Sequence, residues 1–386
     1  MNTSLFSQIV RLLPREIFNR IAKKHESNRS IKSFTSWDHL LTMLFCQFSK
    51  AKSLREIENG LRSCEGKLNH LGMASAPTRS NLSYCNAHRT WSVFEEMFHA
   101  VLAKCRSLGC GSRKRKFTFK NKLFSLDATL IQVCLSVFDW AHYRKTKGAV
   151  KLHLLLDHDG YLPCFANITD GSVHEIHEAR ALKLKPGSFI VMDRGYNDYE
   201  LFHTWTRNKV YFVTRLKENA RYRVLETRET KANSPMISDE IIEFDGSVSS
   251  TKCPVSLRRV VARDTTTGQE VAFLTNHKAL EPELIAEIYR DRWEIEKFFR
   301  AIKQNFRIKT FVGTSVNAVM IQIWTALIAI LLVKYLQYQS SWDWSISNLA
   351  ALLMMNLFIH KDLFRWLENP YYQEPDPPSE QILIKF

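Results

Sequence analysis

The chain lacks the short motifs that announce many enzymes. Eight cysteines run from Cys46 to Cys253, and no two stand as Cys-x2-Cys; Cys105 and Cys110 are the closest. That spacing gives neither a zinc site nor a disulfide framework, and reduced thiols are the default. There is no Gly-x4-Gly-Lys-Ser/Thr loop, no Gly-x-Ser-x-Gly elbow and no His-Glu-x-x-His, so three common chemistries lose their signatures. The opening MNTSLFSQIVRLLPREIF has no basic stretch ahead of a long apolar run and no small-residue cleavage site, so no signal peptide is expected. Long apolar runs are also scarce. AVMIQIWTALIAILLVKYL, from Ala318, holds 16 residues before Lys334 and includes Gln322 and Thr325. A membrane span needs ~20, and the run reads as a buried core helix.

Positive charge is plentiful. Lys and Arg number 54 against 39 acids, a net charge of +15 over 386 residues. Such an excess points to a polyanion, with nucleic acid the simplest and an acidic membrane surface the alternative. Arg113, Lys114, Arg115, Lys116, Lys120 and Lys122 fall within ten positions, as either a solvated linker or a DNA-contacting one. Hydrophobic residues make up 45%, enough for a packed core, and the length allows two or three domains.

The run IAEIYRDRWEIEKFFRAIKQNF predicts one helix. Tyr289, Arg292, Glu296 and Lys303 lie at offsets 0, 3, 7 and 14 and share an arc about 60° wide; Arg300 widens it to about 80°. Ile288, Ile295, Phe299 and Ile302 fill the adjoining arc. One face is thus apolar, and its neighbour sets a carboxylate among cations and aromatics. An ordinary surface helix with ion pairs four residues apart has the same look. The spacing Tyr-x2-Arg-x3-Glu-x6-Lys, however, resembles the signature of the IS4-type transposases, DDE enzymes of bacterial insertion sequences. The resemblance implies that Glu296 is the third metal-binding carboxylate and that Tyr289, Arg292 and Lys303 hold phosphates of the transposon end, with Arg300 beside them.

Two further acids stand upstream, each on or beside a strand. KLFSLDATLIQVCL reads as a strand with Asp127 in its middle; Ser188 to Met192 is a short apolar strand ending at Asp193. A lone Asp at a strand end is often a turn or cap residue, but here two precede a helical Glu in order. The resemblance extends to Asp127-Ala-Thr and to Asp193-Arg194-Gly195-Tyr196, which brings Arg194 and Tyr196 among the DNA-contacting candidates. Three acids suit phosphodiester chemistry. Two Mg²⁺ ions about 3.5–4 Å apart activate the nucleophile and stabilise the leaving oxygen. Mg²⁺ takes hard oxygen ligands and keeps several waters; Mn²⁺ is an expected substitute.

Residues 1–110 read as helical: a core stripe from Ser36 to Phe48, a Ser-x-x-Glu cap at Ser53, and one further helix after the turn at 76–80 through NLSYCNAHRTWSVFEEMFHAVLAKC. Basic residues scattered over it, Arg79 among them, suit a DNA-binding module, and the region resembles the N-terminal domain of one branch of IS4-type transposases. From Phe117 the pattern turns to strands, with a hairpin at His158-Asp159-Gly160. The order β-β-β-α-β-α-β, then the helix at 282–305, is the RNase H-like arrangement.

The expected class is therefore α/β: an RNase H-like catalytic core (117–216 and 277–340), a β-rich insertion (217–276), a helical N-terminal DNA-binding domain (1–110) and a tail (341–386). The expected function is a DNA transposase, nicking at terminal inverted repeats and joining strands as a homodimer in a synaptic complex, in the bacterial cytoplasm with the nucleoid and off the membrane. A base flipped onto Trp293 or Trp205 belongs to the same resemblance. A transposase-derived DNA-binding protein without catalysis and a stand-alone Mg²⁺ nuclease of RNase H-like fold stay as alternatives.

Overall fold

A computed structural model describes residues 3–371, except 30, 32, 65, 110–116, 118, 120, 135–137, 145–146, 232–233 and 265–266. The expected basic linker at 113–116 and 120, and the proline-rich end from 372, lie outside the described residues.

Six helices come first: α1 (Leu5–Arg11), α2 (Arg15–Lys24), α3 (Ser36–Ser49), α4 (Leu54–Arg62), α5 (Arg79–His88) and α6 (Ser92–Ser107). Ser53 accepts a hydrogen bond from the Glu56 amide at the start of α4, while the Glu56 carboxylate reaches the Lys52 amide, one residue outside the cap. The reciprocal capping box is on α3, between Thr35 and Asp38. The single helix expected after residue 80 is two, α5 and α6. Their joint is set by a distant side chain: Asn317 donates to the carbonyls of Asn86 and Arg89 and accepts from the Trp91 amide.

The middle of the chain forms β1 (Leu123–Val133), β2 (His142–Arg144), β3 (Lys147–Asp157), β4 (Leu162–Asp170), α7 (Glu175–Ala181), β5 (Phe189–Met192), α8 (Tyr199–Arg207) and β6 (Tyr211–Arg215). Next come β7 (Tyr222–Arg228), β8 (Met236–Phe244), α9 (Ser247–Lys252), β9 (Leu257–Arg263) and β10 (Glu270–Thr275). The described strands make one sheet in the order β2-β3-β1-β5-β6-β10-β9-β8-β7, with β4 also pairing β3. Strands β1, β3 and β4 are antiparallel neighbours; β5 runs parallel to β1 and β6 parallel to β5. Strand β10 pairs antiparallel with β6, so the β-rich 217–276 region continues the same sheet. The helices α10 (Pro282–Asp291), α11 (Trp293–Asn305), α12 (Val316–Gln339), α13 (Ile346–Met355) and α14 (Leu363–Glu368) close the fold.

Burial follows pattern. All four residues of β5 are buried, as a central strand covered on both faces requires. Helix α12 is apolar all round and is the one helix among the described residues long and apolar enough to cross a membrane, yet 89% of its apolar window is buried within the protein. It is a core helix. Its side chains share one core with α1–α6, β3, β4, α11 and α13, and the α1 amides of Leu5 and Phe6 bond the carbonyls of Ile359 and Leu357. The N-terminal helices and the C-terminal ones are thus packed around the same apolar column.

Candidate active site

Parallel pairing brings two acids together. The last paired positions of β1 and β5 are Leu126 and Met192, so Asp127 and Asp193 each follow that pair on neighbouring strands, which are spaced about 4.8 Å apart. Asp193 also opens the turn Arg194–Tyr196. Helix α11 lies across β1 because Ile295, Phe298, Phe299 and Ile302 form its buried stripe. Its Lys303 fixes the crossing: Nζ donates to Thr129 Oγ1 at 2.6 Å and to the Leu130 carbonyl at 2.9 Å. Burial, then nearby Lys309, lowers the Lys303 pKa from its usual value.

The run expected to be one helix breaks at Arg292, between α10 and α11. No proline or glycine stands there. The chain passes through the break with short-range bonds from the Arg292 amide to Tyr289 and from the Ile295 amide to Arg292. The break turns Arg292 inward, so that it is only 7% exposed. Its Nη1 lies 3.4 Å from Asp127 Oδ2 and its Nη2 2.9 Å from Glu296 Oε1. The guanidinium is flanked by the rings of Trp293 and Tyr289, at 5.5 and 5.7 Å. Burial pulls its pKa down, but Tyr289, Asp127, Glu296 and Asp193 more than offset that and hold it above the usual value.

The guanidinium does not offset the cost of burying Asp127. Burial pushes the Asp127 carboxyl up to about 7, although the Ala128 amide and Arg292 both favour its charged form; Glu296 and Glu175 push it further up. Among the described residues no three His, Cys, Asp or Glu side chains are disposed to share a metal ion; Arg292 stands between Asp127 and Glu296. A cluster of carboxylates gathered around one buried guanidinium, with one acid still driven toward its neutral form, has the donor chemistry that a hard divalent cation fits.

The remaining candidates divide by exposure. Trp293 is 51% exposed. Arg300 and Arg79 are exposed, and Arg194 is exposed beside Glu218 at 3.7 Å. Tyr289 is half-buried against Phe273, with its hydroxyl pKa raised by burial. Tyr196 corrects the sequence expectation of a DNA contact. Its side chain is 1% exposed in the core between β5 and α8, its hydroxyl is without a hydrogen-bond partner, and burial followed by Asp127, Glu175 and Asp193 raises its pKa. Trp205 is also core, packed near Phe212. Lys303 and Arg292 were expected to hold phosphates; here both heads are engaged within the protein. Glu175 and Glu178 on α7 add negative potential that the sequence reading passed over. Their spacing in His-Glu-Ile-His-Glu, three apart on one helix face, was the available signal.

Comparison with known proteins shows the family. The family described as Transposase DDE domain matches residues 118–332, and a domain of unknown function matches residues 1–74. A Sinorhizobium fredii protein named as the transposase y4zB is 28% identical over 75% of this chain and 80% of its own length. A Geobacillus stearothermophilus protein, named as a transposase for insertion sequence element IS5377, is 26% identical over 67% of each. A Synechocystis protein named as a transposase for insertion sequence element IS4SA is 24% identical over 83% of this chain and 88% of its own. A solved piggyBac transposase synaptic complex with hairpin DNA covers 92% of this chain and 78% of its own at a TM-score of 0.44 and 11% identity, a likeness too slight to bear on the fold.

Proposed function

This chain belongs to the transposase family with a DDE domain, as an insertion-sequence transposase that cleaves and joins DNA strands; on that premise we propose that Asp127, Asp193 and Glu296 are its three catalytic, metal-binding acids. The observation that carries the reading is the meeting of Asp127 and Glu296, from β1 and α11, on the buried guanidinium of Arg292, with Asp193 following β5 beside Asp127. Enzymes of this family use divalent metal ions. We take them here to be two Mg²⁺, which when bound activate a water or 3′-hydroxyl and stabilise the leaving oxygen.

The protein's own part is placement. Strand pairing sets Asp127 beside Asp193, and Lys303 ties α11 to β1, the helix whose Glu296 meets Arg292 beside Asp127. Arg292 neutralises Asp127 and Glu296 before substrate arrives. The planar guanidinium of Arg292 would be free to grip a phosphate with two hydrogen bonds when a bound cation offsets those acids. Tyr289 and Trp293 flank this guanidinium; with the exposed Arg300 and Arg194, and Arg79 on the N-terminal helices, we assign them to the DNA-facing surface. Tyr196 belongs to the support beneath the acids.

The strand order β4-β3-β1-β5-β6, antiparallel then parallel, supports an RNase H-like core. The division into 1–110, 117–216, 217–276, 277–340 and 341–386 remains our reading of the chain, with the first segment as the inverted-repeat binder. A homodimeric synaptic complex, cut-and-paste transposition and action at the bacterial nucleoid complete the proposal. The test is cleavage of a labelled transposon-end duplex with Mg²⁺, then recovery of a joined product with target DNA. Nicking without joining would reduce the enzyme to a nuclease; neither would leave a DNA-binding protein.

A further inference from the structure

Three buried side chains from three separate elements form a chain of hydrogen bonds beside the acids, and the chemistry above uses none of them. Ser125 Oγ lies 2.6 Å from His158 Nε2, and His158 Nδ1 lies 2.6 Å from Asp291 Oδ2. The Tyr161 hydroxyl makes a longer contact of 3.4 Å with the same carboxylate oxygen. Ser125 precedes Asp127 by two positions on β1, so the two side chains leave the same face of the strand. Asp291 is the residue immediately before Arg292, at the joint between α10 and α11. His158 sits in the turn between β3 and β4, where Gly160 and Tyr161 take φ of +82° and +52°. That conformation is uncommon for a residue other than glycine, and here it brings the tyrosine ring within 5.4 Å of the His158 ring.

Ser, His and Asp in this order would suggest a nucleophile, a base and an orienting acid. Burial excludes that use. Ser125 has no exposed surface, and the His158 and Asp291 side chains are 6% and 2% exposed, so no substrate reaches the hydroxyl. What the chain of bonds does instead is mechanical. It ties the helix joint to the strand that carries Asp127, through a ring held at both nitrogens.

We propose that His158 is a positioning residue of the DNA-cleaving site: by bonding Ser125 and Asp291 it sets the α10–α11 joint against β1, and so places Arg292 and Glu296 opposite Asp127. The proposal rests on the assignment of those three groups to the site. It accounts for a helix broken at Asp291-Arg292-Trp293, where no residue would break it by local preference. It also accounts for a carboxylate buried one residue from the central guanidinium and bonded to His158. A misplacement of about 1 Å at such a joint is enough to cost about 10²-fold in rate.

The test uses the full-length protein and three variants. His158→Phe fills the space and loses both bonds, His158→Gln keeps the capacity for one, and Ser125→Ala removes one bond with little change of volume. Single-turnover cleavage is measured on a pre-bound transposon end and normalised to the folded fraction. Mn²⁺ affinity is measured by calorimetry without DNA. His158→Phe is expected to cleave about 10²-fold more slowly with end affinity unchanged, and to bind Mn²⁺ about 10-fold more weakly. His158→Gln should recover part of both losses, and Ser125→Ala should fall between Phe and the parent. Variants that lose thermal stability but match the parent per folded molecule, in rate and in Mn²⁺ affinity, would overturn the positioning role alone. A parent that neither cleaves nor binds Mn²⁺ would overturn the site assignment and this inference with it.

Discussion

Among the described residues, two buried arginines hold carboxylates, and they do so differently. Arg258 on β9 meets Asp239 on β8 with Nε and Nη2 at 2.7 and 2.6 Å, while its Nη1 donates to the carbonyls of Lys278 and Leu280. Both side chains are almost fully enclosed, at 3% and 4% exposed. Arg292 divides one guanidinium between two acids from different elements, at 3.4 and 2.9 Å, and leaves Nε without a hydrogen-bond partner. Its acids are 18% and 31% exposed. The first pair is complete and has nothing further to bind. The second is loose and open on one side. Full satisfaction marks a strut of the fold, whereas partial satisfaction next to solvent marks a place where partners are exchanged.

The comparison breaks if the two pairs respond alike to mutation. The largest effect is expected at the loose one. Asp127→Ala, Asp193→Ala and Glu296→Ala should each lower single-turnover cleavage by at least about 10³-fold, the scale on which preorganised charged groups act, with transposon-end binding retained. Cleavage near the parent rate in any one of them would remove that residue from the site.

The tight pair should show the opposite profile. Asp239→Ala leaves Arg258 charged and enclosed, and should destabilise the protein by about 3–5 kcal/mol in urea titration. Per folded molecule its cleavage rate should equal that of the parent. A change in rate at full folding would make Arg258 part of the chemistry.

Lys303 sharpens the contrast, because it is a cation of the site that serves as a strut. Lys303→Met should slow cleavage by about 10–10²-fold through the loosened α11, while the salt dependence of end binding stays the same. A salt slope reduced by about one would identify it as a phosphate contact.

The smallest effect lies far from both pairs. His39 is enclosed in the N-terminal helices against Asn86, and burial pulls its pKa down to about 3 despite that hydrogen bond. Its folded pKa is below its unfolded one, so its contribution to stability is complete above about pH 6.5 and declines as pH falls toward 3. The slope is about 1.4 kcal/mol per unit. Between pH 6.5 and 5 the protein should lose about 2 kcal/mol that a His39→Gln variant keeps. Equal losses in the two proteins would show that His39 is not the titrating group.

Much of this was legible in the sequence, for identifiable reasons. The apolar stripe Ile295, Phe299 and Ile302 and the all-round apolar run of α12 are periodic signals, and periodicity survives into burial. Asp127 and Asp193 stood out because each interrupts or ends a strand of apolar residues. The joints were not legible. The α5–α6 break depends on Asn317, and the α10–α11 break falls at Asp291, which bonds His158 far back in the chain; no local residue preference announces either. The six-residue α9, Ser-Val-Ser-Ser-Thr-Lys, is made of poor helix formers, so strands seemed to follow one another there. In Asp193-Arg194-Gly195-Tyr196 the sequence offered three polar or aromatic candidates within four positions. Only packing against β5 and α8 separates the exposed arginine from the enclosed tyrosine.

The central claim is that the acids around Arg292 belong to a cation site and that Asp239, paired with Arg258, does not. Calorimetric titration with Mn²⁺, in the absence of DNA, tests it directly on the parent protein, Asp127→Asn and Asp239→Asn. The account predicts that Asp127→Asn weakens binding by at least about 10-fold, while Asp239→Asn leaves it unchanged. Equal Mn²⁺ affinity in the parent and Asp127→Asn would contradict it.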